Sequence, residues 1–72
     1  MTQEEFKVWR VLMGYSQAEA GRALGLAVRP DGTTCDAVRH YERGTRAVPE
    51  TVAKLCEYVM RYGPLPAGGD AA

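Results

Sequence analysis

Apolar side chains recur along this chain at helical intervals, in stretches separated by glycine. Phe6, Trp9, Leu12 and Met13, with Val8 on the flank, share one side of a helix and leave Lys7 and Arg10 outward, which predicts a first helix ending at Gly14. Ahead of it, Thr2-Gln3-Glu4-Glu5 has the form of a capping box, in which the threonine hydroxyl accepts from the N–H of Glu5 while Glu5 reaches back. Ser16-Gln17-Ala18-Glu19 repeats that signal and opens a second, shorter helix running to Leu24 and stopped by Gly25. Its inward positions are Ala20, Gly21 and Leu24. A glycine inside a helix costs about 1 kcal/mol relative to alanine, so Gly21 predicts the close approach of another helix as compensation.

From Ala27 to Thr34 the period disappears, and Arg29-Pro30-Asp31-Gly32 carries the residue preferences of a type I turn. Thr33 is placed to cap a third helix, with Asp36 at its third position facing the positive helix end, and that helix runs to about Arg43 before Gly44. On a helical wheel Val38 and Tyr41 share one side with Thr34 and Ala37, while Asp36, Arg39, His40 and Arg43 fall on the other. Pro49 at the first helical position and Glu50 behind it open a fourth helix. Val52, Leu55, Cys56 and Val59 form its inner face, extended by Met60 and Tyr62, until Gly63-Pro64 blocks continuation. No segment alternates with the period of a strand. The pattern predicts an all-α domain over residues 1–63, made of four main helices with an enlarged loop between the second and third, and a flexible tail over residues 64–72.

Composition narrows the class. Seventy-two residues allow one small core and exclude a two-domain enzyme. Nine Lys plus Arg balance nine Asp plus Glu, so the whole molecule has no net charge to draw it to nucleic acid or to a membrane, and any charge logic is local. An apolar content of 46% with 25% charged residues is that of a folded chain. Two cysteines are too few to staple so small a domain, nothing near the start resembles a secretory signal, and no stretch approaches a membrane span, so reduced thiols in a cytoplasmic protein are expected.

The outward stripe of the third helix carries the candidate chemistry. Arginine can fork onto guanine O6 and N7, histidine can bond to base edges or phosphate, and aspartate can accept from cytosine N4 or hold Arg39 in place. The plainer reading is a solvated charged face on a short surface helix. Catalysis and metal binding find less support. Cys35 and His40 diverge by about 140° around a helix axis, Ser16 already caps a helix, and neither paired carboxylates in a cleft nor a glycine-rich phosphate loop is present. No catalytic residue, metal site or cofactor is therefore expected. Cys35, at a helix start, also admits a redox-sensing role, set against that of a small inert side chain.

SQAEAGRALGL followed by VRHYERGTRAVP resembles the helix-turn-helix of phage-repressor-like regulators, the lambda repressor, Cro and xenobiotic-response-element group. EFKVWRVLMGYSQ and the later YERGTRAVP are similar to small phage and plasmid autoregulators, some of them anti-CRISPR-associated. The resemblance implies a regulator that binds an inverted-repeat operator in double-stranded DNA as a homodimer and represses, its own promoter included. It implies base readout by Arg39, His40, Asp36 and Cys35, and places Gln17, Arg43 and Arg46 against the DNA backbone, where Thr33, Thr34 and Arg29 are added as candidates. Val38 and Tyr41 match the buried anchors of the recognition helix, and Glu42 and Gly44 match its end.

Two features depart from the family pattern. Gly25 and Val38 stand 13 residues apart where the family has a tight turn, so Leu26 to Thr34 is expected to protrude, either adding a backbone contact through Arg29 or simply tolerating its length. Ala20-Gly21 replaces a larger aliphatic residue followed by alanine. Local charge is modest: Arg29, Arg39, Arg43 and Arg46 stand against Asp31, Asp36 and Glu42. Affinity would then come from pairing two recognition helices. Leu55, Val59, Met60 and Tyr62 on the fourth helix are the predicted dimer seam, the alternative being that all four are core. The competing function is an antitoxin or adaptor-type helical module that binds a protein through its apolar fourth helix.

Overall fold

Thr2 and Ser16 each accept a hydrogen bond from the backbone N–H three residues on, that of Glu5 and of Glu19, at 3.1 Å. Each glutamate carboxylate accepts in return from the N–H of its cap residue. These two capping boxes start α1 (Gln3–Leu12) and α2 (Gln17–Ala23). The computed structural model describes residues 1–65, and its other helices are α3 (Asp36–Arg43) and α4 (Glu50–Tyr62). Among the described residues there is no strand, and the domain is all-α.

Two helix starts differ from the sequence expectation. Thr33 does not cap α3, because the helix begins only at Asp36 and Thr33 belongs to the preceding turn, where its hydroxyl donates to Asp31 at 2.7 Å and its N–H donates to the same carboxylate oxygen. Cys35 occupies the cap position instead, without a side-chain cap bond. Pro49 is the cap residue of α4 rather than its first helical residue, since its ψ of 151° is extended and Glu50 begins the helix.

The core is assembled from all four helices. Phe6 lies at its centre, edge-on to Tyr41 of α3 with ring centroids 5.4 Å apart and tilted against Trp9 at 5.6 Å. Ala20, Ala23 and Leu24 close one side, and Val52, Cys56 and Val59 of α4 close another. The Trp9 indole N–H donates to the Cys56 carbonyl at 3.1 Å, which ties α1 to α4 through a buried polar pair. Gly21 is approached closely, although by Cys35 and Val28 of the segment that enters α3 rather than by a neighbouring helix. A Cβ at Gly21 would lie 2.6 Å from the Cys35 Cβ and 2.8 Å from its sulfur.

Leu12, expected inside, is 76% exposed. Phe6, Trp9 and Met13 form the inward stripe of α1, and Leu12 falls about 100° to one side of it. Within the expected tail, the N–H of Leu65 donates to the Ala23 carbonyl at 2.9 Å, a contact with α2. The rest of that tail, 66–72, lies outside the described residues. No helix among the described residues is long and apolar enough to cross a membrane.

Candidate nucleic-acid interface

Val38 and Tyr41 bury one side of α3 against Phe6 and the core, so the opposite side faces outward. Asp36 and Arg43 on it are exposed, and Arg39 and His40 are half-buried. Gly44, at φ +76°, turns the chain sharply out of the helix, a backbone conformation that glycine adopts without a steric penalty. The N–H groups of Gly44 and Thr45 return to the carbonyls of Tyr41 and His40, and the Thr45 hydroxyl lies 2.8 Å from His40 Nδ1. That contact positions the imidazole on the α3 surface. Arg46, two residues past the helix end, is exposed.

The loop before α3 is ordered by its own hydrogen bonds. Gly32 N–H donates to Arg29 O at 2.8 Å and Arg29 N–H to Thr34 O at 3.0 Å. From this small turn the Arg29 Nε donates to Asp36 Oδ1 at 3.0 Å, and Arg39 Nη1 stands 3.9 Å from the same oxygen. Arg29 and Thr33 are exposed, and Thr34 is half-buried.

Behind this face runs a polar network that links three helices. Arg10, expected outward, turns inward: its guanidinium forks onto the Glu42 carboxylate through Nε and Nη2, and its Nη1 donates to Tyr15 O at 2.9 Å. Gln17 Nε2 donates to Glu42 at 3.4 Å, and Gln17 Oε1 accepts from the Thr34 hydroxyl at 3.1 Å. Both ends of the Gln17 amide are thus engaged within the protein. The pairing also removes Glu42 from the surface charge count. Four arginines at positions 29 to 46 then stand against two aspartates, a more positive face than the sequence count suggests.

Cys35 is not on the outward face. Its side chain is fully buried against Gly21, and its thiol donates to Ala27 O at 3.2 Å, so it cannot meet a base edge. Burial pushes the Cys56 thiol up to about 11. Among the described residues no group of three or more His, Cys, Asp and Glu side chains converges as metal ligands would.

The expected seam on α4 divides. Val59 is 1% exposed and belongs to the core, because it lies in line with Val52 and Cys56 on the inner face. Leu55 is half-buried and packs against that core. Met60 and Tyr62 are largely exposed but point about 160° apart around the helix, and the Tyr62 ring lies tilted against that of Tyr58 with centroids 5.0 Å apart. Sequence reasoning missed a second apolar surface on α1. Val8, Val11 and Leu12 are all more than half exposed, and Val8 and Leu12 line a groove with Met1 and Met60, rimmed by Glu4, Glu5 and Glu57. Their i, i+3, i+4 spacing was itself a readable signal, hidden by grouping Leu12 with Phe6 and Trp9.

No protein-family model matches this chain, and no curated protein or solved structure matches it.

Proposed function

We propose that this domain is a non-enzymatic, sequence-specific regulator that binds operator DNA with the outer face of α3. The observation that carries this reading is the two-sidedness of α3: Val38 and Tyr41 are anchored in the core, while Asp36, Arg39, His40 and Arg43 stand together on the other side. A helix held in this way offers its outer side chains to a major groove, which is wide enough to admit it. Arg39 is the principal base reader, with His40 and Asp36 beside it. Arg43 and Arg46 are the phosphate contacts, joined by Thr33 and Thr34, whereas Arg29 in the free domain donates to Asp36. Gln17 would join them only by giving up its bonds to Thr34 and Glu42.

A single α3 with this modest charge gives weak affinity, so the domain acts as a homodimer on an inverted repeat and represses transcription, its own included. Of the expected seam, Met60 and Tyr62 remain exposed for such pairing, and Tyr58 of α4 is exposed beside Tyr62.

Selection from a random duplex pool at low and high salt, with Arg39→Ala alongside, tests the reading. The expected outcome is an inverted repeat whose enrichment weakens as salt rises, and a loss of about 1 to 3 kcal/mol with relaxed preference at one base pair in the variant. No enrichment at low salt overturns it.

A second reading, a protein-binding module of the antitoxin or adaptor kind, is favoured by one observation, the exposed Val8, Val11, Leu12 and Met60 beside the α1/α4 groove. Salt separates the two, because an apolar interface does not weaken steeply with ionic strength and a set of phosphate contacts does.

A further inference from the structure

Two arginines compete for one carboxylate at the start of α3. Asp36 Oδ1 accepts a hydrogen bond from Arg29 Nε at 3.0 Å, whereas the Arg39 guanidinium stays at 3.9 Å, beyond hydrogen-bond reach. Asp36 and Arg39 are three residues apart on the same helix, so the carboxylate is always within reach of the arginine. We infer that Arg29 is a positioning residue of the α3 face, neutralising Asp36 from the loop so that Arg39 remains uncommitted and can reach a base edge. This inference rests on the DNA-binding reading above and gives the Leu26 to Thr34 loop a role beyond added length or a phosphate contact.

The loop is constructed to hold Arg29 in place. The turn bonds at Gly32 and Thr34 fix its backbone, Asp31 is occupied by Thr33, and the thiol of Cys35 fastens Ala27 to the beginning of α3. Without Arg29, the negative charge of Asp36 would stand alone on the surface offered to a polyanion. It would repel phosphates, and it would close onto Arg39 as the nearest cation. Both effects lower specific affinity, and the second also blurs base preference. Arg29 as a direct phosphate contact would act differently, strengthening every duplex alike and independently of Asp36.

A double-mutant cycle separates these roles. Affinities are measured for the selected duplex and for a scrambled duplex of equal length, using the wild type, Arg29→Ala, Asp36→Asn and the double variant. Arg29→Ala is expected to weaken binding to the selected site by about five- to tenfold, and by less than about twofold when Asp36→Asn is already present. Arg29→Lys, which keeps the charge, is expected to recover most of the loss. Because the Arg29 and Asp36 side chains are each about half exposed, thermal unfolding of these variants is expected to match the wild type. An equal loss from Arg29→Ala in both backgrounds, shared by the scrambled duplex, overturns the inference and leaves the DNA-binding reading standing. Failure of the wild type to bind any duplex overturns both.

Discussion

The guanidinium of Arg10 on α1 forks onto the carboxylate of Glu42 near the end of α3, 32 residues away, with side-chain exposures of only 16% and 8%. A third guanidinium nitrogen donates to the carbonyl of Tyr15, so one side chain joins α1, the turn into α2 and α3. The orientation of α3, and with it the direction of Arg39 and His40, depends on this clamp. Removing one partner strands the other charge away from water. Glu42→Ala and Arg10→Ala are each expected to lose about 2 to 4 kcal/mol of unfolding free energy, and the double variant less than their sum. Urea denaturation followed by circular dichroism measures all three.

Gly21→Ala reverses the usual helix preference. Alanine gains about 1 kcal/mol of propensity, but its Cβ would sit 2.6 Å from the Cys35 Cβ, a carbon bonded directly to the backbone that cannot swing aside. The expected net effect is a loss of about 1 to 3 kcal/mol, from overpacking where α2 meets the entry to α3. A melting temperature equal to or above the wild type would show that this contact relaxes.

Trp9 is the only tryptophan and is 4% exposed, so its emission reports the core directly. Trp9→Phe keeps an aromatic ring but leaves the buried Cys56 carbonyl without its indole donor. A cost of about 1 to 3 kcal/mol is expected, measured by calorimetry.

Stability is expected to fall on both sides of neutral pH, for different reasons. Glu5 and Glu19 are held below their ordinary value of 4.5, chiefly by the backbone N–H groups of Thr2 and Ser16. Their contribution is present above the unfolded value and is lost as pH falls through the lowered folded value. Burial raises Cys56 from 9.0 to about 11, so the folded chain keeps a proton that the unfolded chain releases. That contribution is intact below pH 9.0 and fades as pH climbs toward 11. Urea midpoints across pH check this, with Glu5→Gln and Glu19→Gln flattening the acid side and Cys56→Val the alkaline side.

Neither thiol is expected to react with a disulfide reagent in the native state, because Cys35 and Cys56 are both buried. Both are expected to react once urea unfolds the chain. Rapid modification of Cys35 in native buffer would show that the loop opens.

Much of the architecture was legible in the sequence because it is local. The capping boxes at Thr2 and Ser16 join residues three apart, the glycine stops need only their own φ, and the division of α3 between Val38 and Tyr41 on one side and Asp36, Arg39 and Arg43 on the other follows from helical periodicity. These features depend little on what the rest of the chain does. Tertiary structure decided what depends on which elements meet. Arg10 turned inward to reach Glu42, Gln17 was tied to Thr34, and Cys35 was drawn against Gly21 and away from the outer face of α3. Val59 went to the core and Leu12 to the surface, because each helix has one inner face whose direction is set by the helices packed against it. The Arg29 to Asp36 contact belongs to the same class, since a loop without a period carries no signal of the direction in which its turn will carry an arginine.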